Sequence, residues 1–246
     1  MSRESILGAI RRGLRRGPLP ADQASMLAAR LERHPRHLIP ARSRLPRPEQ
    51  VALFVRNLEK EFGTVDRVPD LAAVPAAIAD YLAAQNLPSR FALAPHPELL
   101  GVPWSDRPML AFEARRADAS DLVGVQHGYA GIAETGTLML PSDPARPTTL
   151  NLLPDTAIVV LRASRILGAY EEAWDLLRAE RRDAATGGMP RNVMLVTGPS
   201  RSADIEQTLE LGAHGPRRLH VVLVDDDPAA LHADGPAAPQ ATTAGE

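Results

Sequence analysis

The sequence predicts an α/β fold: a mostly parallel sheet with helices on both faces. Three observations predict it. Short apolar runs recur along the chain, stretches with a 3.6-residue apolar period separate them, and 246 residues at 44% hydrophobic content suffice for a buried core. The chain opens with a basic arm, residues 1–47, in which Ile6, Leu7, Ile10 and Leu14 share one helical face and a second helix is expected over Ala24–Arg33. Pro48 suits a first helical turn, and Val51, Phe54, Val55, Leu58 and Phe62 then repeat at helical spacing up to Gly63. A helix is expected from Val74 to Asn86, followed by strands at Phe91–Ala94, Met109–Glu113, Asp121–Val125, Thr137–Leu140 and Ala157–Leu161. A helix over Tyr170–Arg181, a strand at Asn192–Thr197, a helix over Ala203–Leu211 and a strand at Leu219–Val224 complete the domain, residues 48–225. Residues 226–246, rich in Ala, Pro and Asp, read as a flexible tail.

Composition removes several chemistries. There is no cysteine, so the chain cannot form a disulfide, ligate an iron–sulfur cluster through thiolate, or attack a substrate through sulfur. Of the 28 basic residues only Lys60 is lysine, and Leu58-Glu59-Lys60-Glu61-Phe62 is not a phosphate-binding loop. No apolar run approaches the roughly 20 residues of a transmembrane helix, and no secretory signal precedes the first helix, so a cytoplasmic protein without a transmembrane segment is expected. Charge is segregated: residues 1–48 hold 11 Arg against three acids, whereas the rest of the chain is acidic. With no aromatic residues interleaved among these arginines, the arm is read as an amphipathic segment folded against its own acidic body or a sister subunit, in preference to a docking arm for an acidic surface or a nucleic acid.

Two stretches carry candidate chemistry. In Ala130–Leu140, Glu134-Thr135-Gly136-Thr137 places a carboxylate and two hydroxyls around a glycine ahead of an apolar strand. Glu134 is either a proton carrier or nucleophile, or a carboxylate that ties down its own turn; Thr135, Gly136 and Thr137 are candidate donors to an anion. In Val193–Glu206, a strand leads through Gly198-Pro199 into Ser200-Arg201-Ser202, read as a helix start offering amides, hydroxyls and a guanidinium to a carboxylate or phosphate, or as an N-cap by Ser202. The same stretch ends in serine where a hydrolase nucleophile elbow needs glycine. His214, in the turn Gly212-Ala213-His214-Gly215-Pro216, is the candidate proton carrier among the histidines. His127, His214 and His220 have no metal-ligand spacing, and no metal site is expected. The two stretches are expected to face one shared crevice.

AETGTLML at 133–140, NLLPDTAIVV at 151–160 and GPSRSADIEQTLELGAHGPRRLHVVLVD at 198–225 resemble the LUD-domain family, and within it the lactate-utilization C proteins; the start, SRESILGAIRRGL, is also similar. The resemblance implies a three-layer α/β/α sandwich like that of ribose-phosphate isomerases and CoA transferases. It also implies a subunit of an L-lactate oxidation system, in which iron–sulfur partner proteins hold the clusters that this cysteine-free chain cannot. CoA transferases of the related fold use a glutamate in a Glu-Asn-Gly turn as acyl acceptor; Glu134-Thr135-Gly136 looks similar in placement but differs at its second position. A stand-alone acyl- or phosphosugar-processing enzyme and a non-catalytic assembly module are the alternatives.

Overall fold

The computed structural model describes residues 2–15, 17–181, 188–203 and 209–230, without the side chains of 202, 203, 209–211 and 230. The chain divides into two compact units, Met1–Ile39 and Pro40–Glu246. The first holds α1 (Arg3–Gly13) and α2 (Ala21–Arg33). Ser2 caps α1 by accepting from the Ser5 amide at 3.2 Å, and Glu4 near its start with Arg11 and Arg12 near its end match the helix dipole. Neither helix buries a residue, so Ile10, Leu14, Met26 and Leu31 are exposed.

The second unit runs α3 (Arg47–Lys60), β1 (Thr64–Val68), α4 (Val74–Ala84), β2 (Arg90–Leu93), α5 (Pro97–Leu100), β3 (Ala111–Ala114), β4 (Val123–His127), β5 (Ala130–Ile132), β6 (Thr137–Pro141), β7 (Thr156–Arg162), β8 (Ile166–Leu167), α6 (Tyr170–Arg181), β9 (Val193–Val196), β10 (Arg201–Ala203), β11 (Leu209–Leu211) and β12 (Arg218–Val224). Six strands form a wholly parallel sheet in the order β1-β12-β7-β4-β2-β3. A second sheet, β8-β5-β6-β9, is mixed.

The two-residue period of the central strands sorts the core. Ile158, Val160, Val222 and Val224 face one side, where Ile78, Tyr81 and Leu82 of α4 cover them with Leu99 and Trp104. Ala157, Val159, Leu161, Val221 and Leu223 face the other, against Val51, Phe54 and Leu58 of α3 and Leu138 and Leu140 of β6. The far face of the second sheet, through Ile132 and Met139, packs on Ala173 and Leu177 of α6. Burial on both faces is why β7 and β12 read as unbroken apolar runs. The α/β class with a parallel central sheet is thus observed, and the second sheet, inserted beside α3, is a layer that the strand pattern did not disclose.

One element is corrected. The helix expected over Ala203–Leu211 is absent at both of its described ends: Arg201–Ala203 and Leu209–Leu211 pair as antiparallel strands, with Arg201 opposite Leu211. Residues 204–208 lie outside the described residues; of the expected tail, 226–246, the first five residues are described, with Asp226 paired to Arg162 and Asp227 to Arg47, and the rest from 231 onward lies outside them. The Ser200 amide donates to the Pro216 carbonyl at 2.8 Å and its carbonyl accepts from the Gly212 amide at 3.0 Å, so the backbone is committed to extended pairing before a helix could open.

Candidate functional site

The Glu134 turn is bound to its own scaffold. One carboxylate oxygen accepts from Ser43 Oγ at 3.3 Å and the other from the Tyr170 amide at 3.4 Å, while the Glu134 amide donates to the Gly168 carbonyl. Gly136 has φ +67°, and a Cβ there would overlap the backbone of Asn57 and Leu58, so α3 lies directly against the turn. Thr137 is buried and Thr135 half-buried. Their hydroxyls join at 2.7 Å, and Thr137 reaches Tyr170 at 3.0 Å and Thr197 at 2.6 Å.

Gly198, Ser200, Arg201 and His214 do come together, lining a cleft of about 260 Å³ with Asn151 and Thr197. Ser200 Oγ accepts from the His214 amide at 3.2 Å, which braces one turn against the other. Arg201 stacks on the Phe62 ring at 3.3 Å from its centroid. Since Arg201 and Ser202 sit in β10, this cleft has no helix start; the Ser202 side chain is outside the described residues. Glu134 does not line it; the two predicted stretches are joined by the antiparallel pairing of β6 with β9 and by the half-buried Thr137–Thr197 hydrogen bond, not by a shared cleft.

A more strongly charged cleft, about 200 Å³, lies where β4 and β7 end, and its residues come from α5 after β2, from those strand ends and the segments just beyond them, from the loop after β6 and from the end of α6. Strand order reverses here: from β2 the chain moves outward to β3, then back to β4 and on through β7 and β12. In open parallel sheets this carboxyl-end crevice is where ligands bind. His96 and Glu98 follow β2, His127 ends β4 and Arg162 ends β7. The two imidazoles stack at 3.7 Å. His127 Nδ1 accepts from Arg146 Nε at 3.1 Å, so a neutral ring carries its proton on Nε2, which donates to Glu98 at 3.1 Å. Glu98 also accepts from Arg162 at 2.7 Å. Arg146 is only 5% exposed and pairs with Asp143 at 2.8 Å, which Arg181 joins at 3.0 Å. Across the cleft, Arg165 grips Glu180 with both terminal nitrogens, and Tyr129 donates to the same carboxylate.

The protonation states follow from these contacts. The hydrogen bond from His127, helped by Arg162, outweighs burial and holds the Glu98 carboxyl down to about 2. Burial lowers His127 despite Glu98, and burial together with His127 and Arg146 lowers His96 to about 4. Burial, reinforced by Glu180, pushes the Tyr129 phenol up to about 12. Near neutral pH the cleft therefore presents the neutral His127 imidazole, backed by neutral His96, with a protonated phenol, four guanidiniums and two carboxylates. Of these groups, sequence reading had singled out only His127. The available signal was positional: His127 and Arg162 are the last residues of apolar strands, and His96 lies just beyond one. Among the described residues, no three His, Asp or Glu side chains are grouped so as to hold a metal ion.

Residues 51–224 match the LUD domain. The chain belongs to the LUD domain family. Curated relatives of this LUD-domain chain include the lactate utilization protein C of Bacillus subtilis and that of Bacillus velezensis, each 36% identical over 104 residues. An uncharacterized protein of Neisseria meningitidis serogroup B is 40% identical over 104 residues. In all three the matched stretch is 42% of this chain and 42% of the relative, so the LUD-domain chain spans less than half the length of these relatives. A crystal structure of a DUF162 family protein from Deinococcus radiodurans superposes with a TM-score of 0.55 at 24% identity, over 73% of this chain and 99% of that one, which shows the shared fold.

Proposed function

We propose that this LUD-domain chain acts in lactate utilization as a subunit that binds a small anionic metabolite, a carboxylate or phosphate, while iron–sulfur partner proteins carry the electrons. Relatives named lactate utilization protein C support the process. The absence of cysteine supports the division of labour, since thiolate-held clusters must then reside elsewhere. The observation that carries the binding role is the cleft at the ends of β4 and β7, where Arg146, Arg162, Arg165 and Arg181 converge with Tyr129. Guanidinium groups held by fixed partners are suited to planar anions. At about 200 Å³ the cleft is smaller than the roughly 300–1,000 Å³ of pockets for drug-sized ligands, which points to a compact metabolite.

The test is complementation. Deleting the gene from its host should abolish growth on L-lactate as sole carbon source, and wild-type protein should restore growth where Arg162→Met does not. Unimpaired growth of the deletion strain would overturn the role in lactate use; full rescue by Arg162→Met would overturn the cleft as its site.

A further inference from the structure

The same cleft indicates which class of anion it takes and how it is kept closed until then. We propose that Glu180 is a built-in stand-in for the ligand: its carboxylate occupies the seat that the carboxylate of a short monocarboxylic acid takes, and loading is an exchange of one for the other. This rests on the reading of the cleft as a small-anion site. The seat has three donors. Arg165 Nη1 and Nη2 donate to the two oxygens of Glu180 at 2.8 and 2.9 Å, and the Tyr129 hydroxyl donates to one of them at 2.9 Å. Two parallel N–H donors match the two coplanar oxygens of a carboxylate.

The seat is rigid and its occupant is not equally so. Tyr129 is 2% exposed, and its carbonyl takes the Arg165 Nε proton at 2.9 Å, which aims the guanidinium fork. The guanidinium carbon stands 4.7 Å from the Tyr129 ring centroid. Glu180, in contrast, comes from the last turn of α6, where helices fray, and its side chain is 40% exposed. Glu98, the other carboxylate of the cleft, is half as exposed at 21% and is pinned from two directions by His127 and Arg162, so it belongs to the wall. A short carboxylate entering beside Arg162 and Arg181 can replace Glu180 oxygen for oxygen. A tetrahedral phosphate brings a further oxygen and a second charge that a fork of two parallel N–H donors does not match.

Because the internal carboxylate competes, binding to the wild-type protein should be weak and binding without it strong. Calorimetric titration of the full chain with acetate, pyruvate, L-lactate and inorganic phosphate reads this directly, with circular dichroism confirming that each variant is folded. Glu180→Ala should tighten pyruvate or L-lactate at least tenfold and phosphate less than threefold, and adding Arg165→Gln should abolish the gain. Glu180→Gln keeps an oxygen for Tyr129 and the packing of α6, and should give the same ranking; it decides the matter if the alanine variant does not fold. Unchanged or weaker carboxylate binding in a folded variant, or phosphate gaining as much as the carboxylates, overturns the exchange while leaving a small-anion site in place. No binding of any of the four anions by wild type or by either variant overturns the anion site itself and the exchange with it.

Discussion

Replacing Glu98 with glutamine tests whether the strand-end network stores as much free energy as its geometry suggests. Glu98→Gln removes the charge, keeps one oxygen for the His127 Nε2 proton and turns an amide toward Arg162. The fall of the carboxyl from 4.5 to about 2 corresponds, at 1.36 kcal/mol per tenfold, to about 3 kcal/mol of native-state stabilisation at neutral pH. The side chain is 21% exposed, so solvent screens it only in part. The sign follows from the depressed carboxyl. The unfolded state takes up the proton first, so the contribution is complete above pH 4.5 and is lost as pH falls through about 2. Urea denaturation of wild type and variant at pH 7, 5, 4 and 3 should show a gap of about 3 kcal/mol at pH 7 that begins to narrow below pH 4.5. The histidines with lowered values weaken both proteins as pH falls below 6.5, and the gap between the two proteins is therefore the readout. A gap that stays constant from pH 6 to pH 3, or one below about 0.5 kcal/mol at pH 7, would refute the account of Glu98.

Gly136→Ala should lower the melting temperature by at least about 4 °C, from about 2 kcal/mol of left-handed strain and backbone overlap with α3; Gly13→Ala, with nothing within 4 Å of the added carbon, should not lower it. His220 is 1% exposed, stacks on Tyr81 at 3.8 Å, meets Thr64 Oγ through Nδ1 at 2.9 Å and leaves Nε2 without a hydrogen-bond partner. Burial lowers it to about 4 against the opposing pull of Asp66, so the native state loses stability as pH falls from 6.5 to 4 while the unfolded state gains the proton. His220→Phe should flatten that part of the stability profile, and an unchanged slope over that range would count against the buried neutral imidazole.

What the sequence disclosed depended on how each segment is buried. β7, β12 and α3 were legible because apolar neighbours on both faces, or along one helical stripe, force runs and periods that survive in one dimension. β1, Thr64-Val65-Asp66-Arg67-Val68, lies at the sheet edge and buries only Val68, so it shows neither a run nor an alternation. β5 and β8 have three and two residues, too few to display any period. In the 198–215 stretch the serines suggested a helix cap, whereas pairing with Pro216 and Gly212, a tertiary term, makes the backbone extended. The site divides in the same way. Gly198, Ser200 and Arg201 are legible as one donor-bearing turn because they are adjacent in sequence; His214 joins them through the pairing of Ser200 with Gly212 and Pro216, which is not a local signal. Glu98, Arg146 and Arg162 meet His127 only because separate strands of one parallel sheet end side by side, and no local pattern encodes that.

The energetics of the network indicate that it is kept for binding more than for stability. Arg146 is 95% buried, reckoned from its 5% exposure, and its donors all go to Asp143, His127 and His96. Desolvating a guanidinium and its carboxylate costs several kcal/mol, and their attraction roughly offsets that; apolar residues of equal volume are often as stable or more so. Packing alone would therefore favour leucine or methionine at position 146, as it does throughout the layers on either side of this sheet. A guanidinium held there, with its Nε proton committed to the unprotonated Nδ1 of His127, fixes the tautomer of His127 and through it the position of Glu98. That chain reaches Arg162 on the cleft wall, which Asp226 holds from its other side at 3.1 Å, so the buried charge sets the geometry presented to an incoming anion.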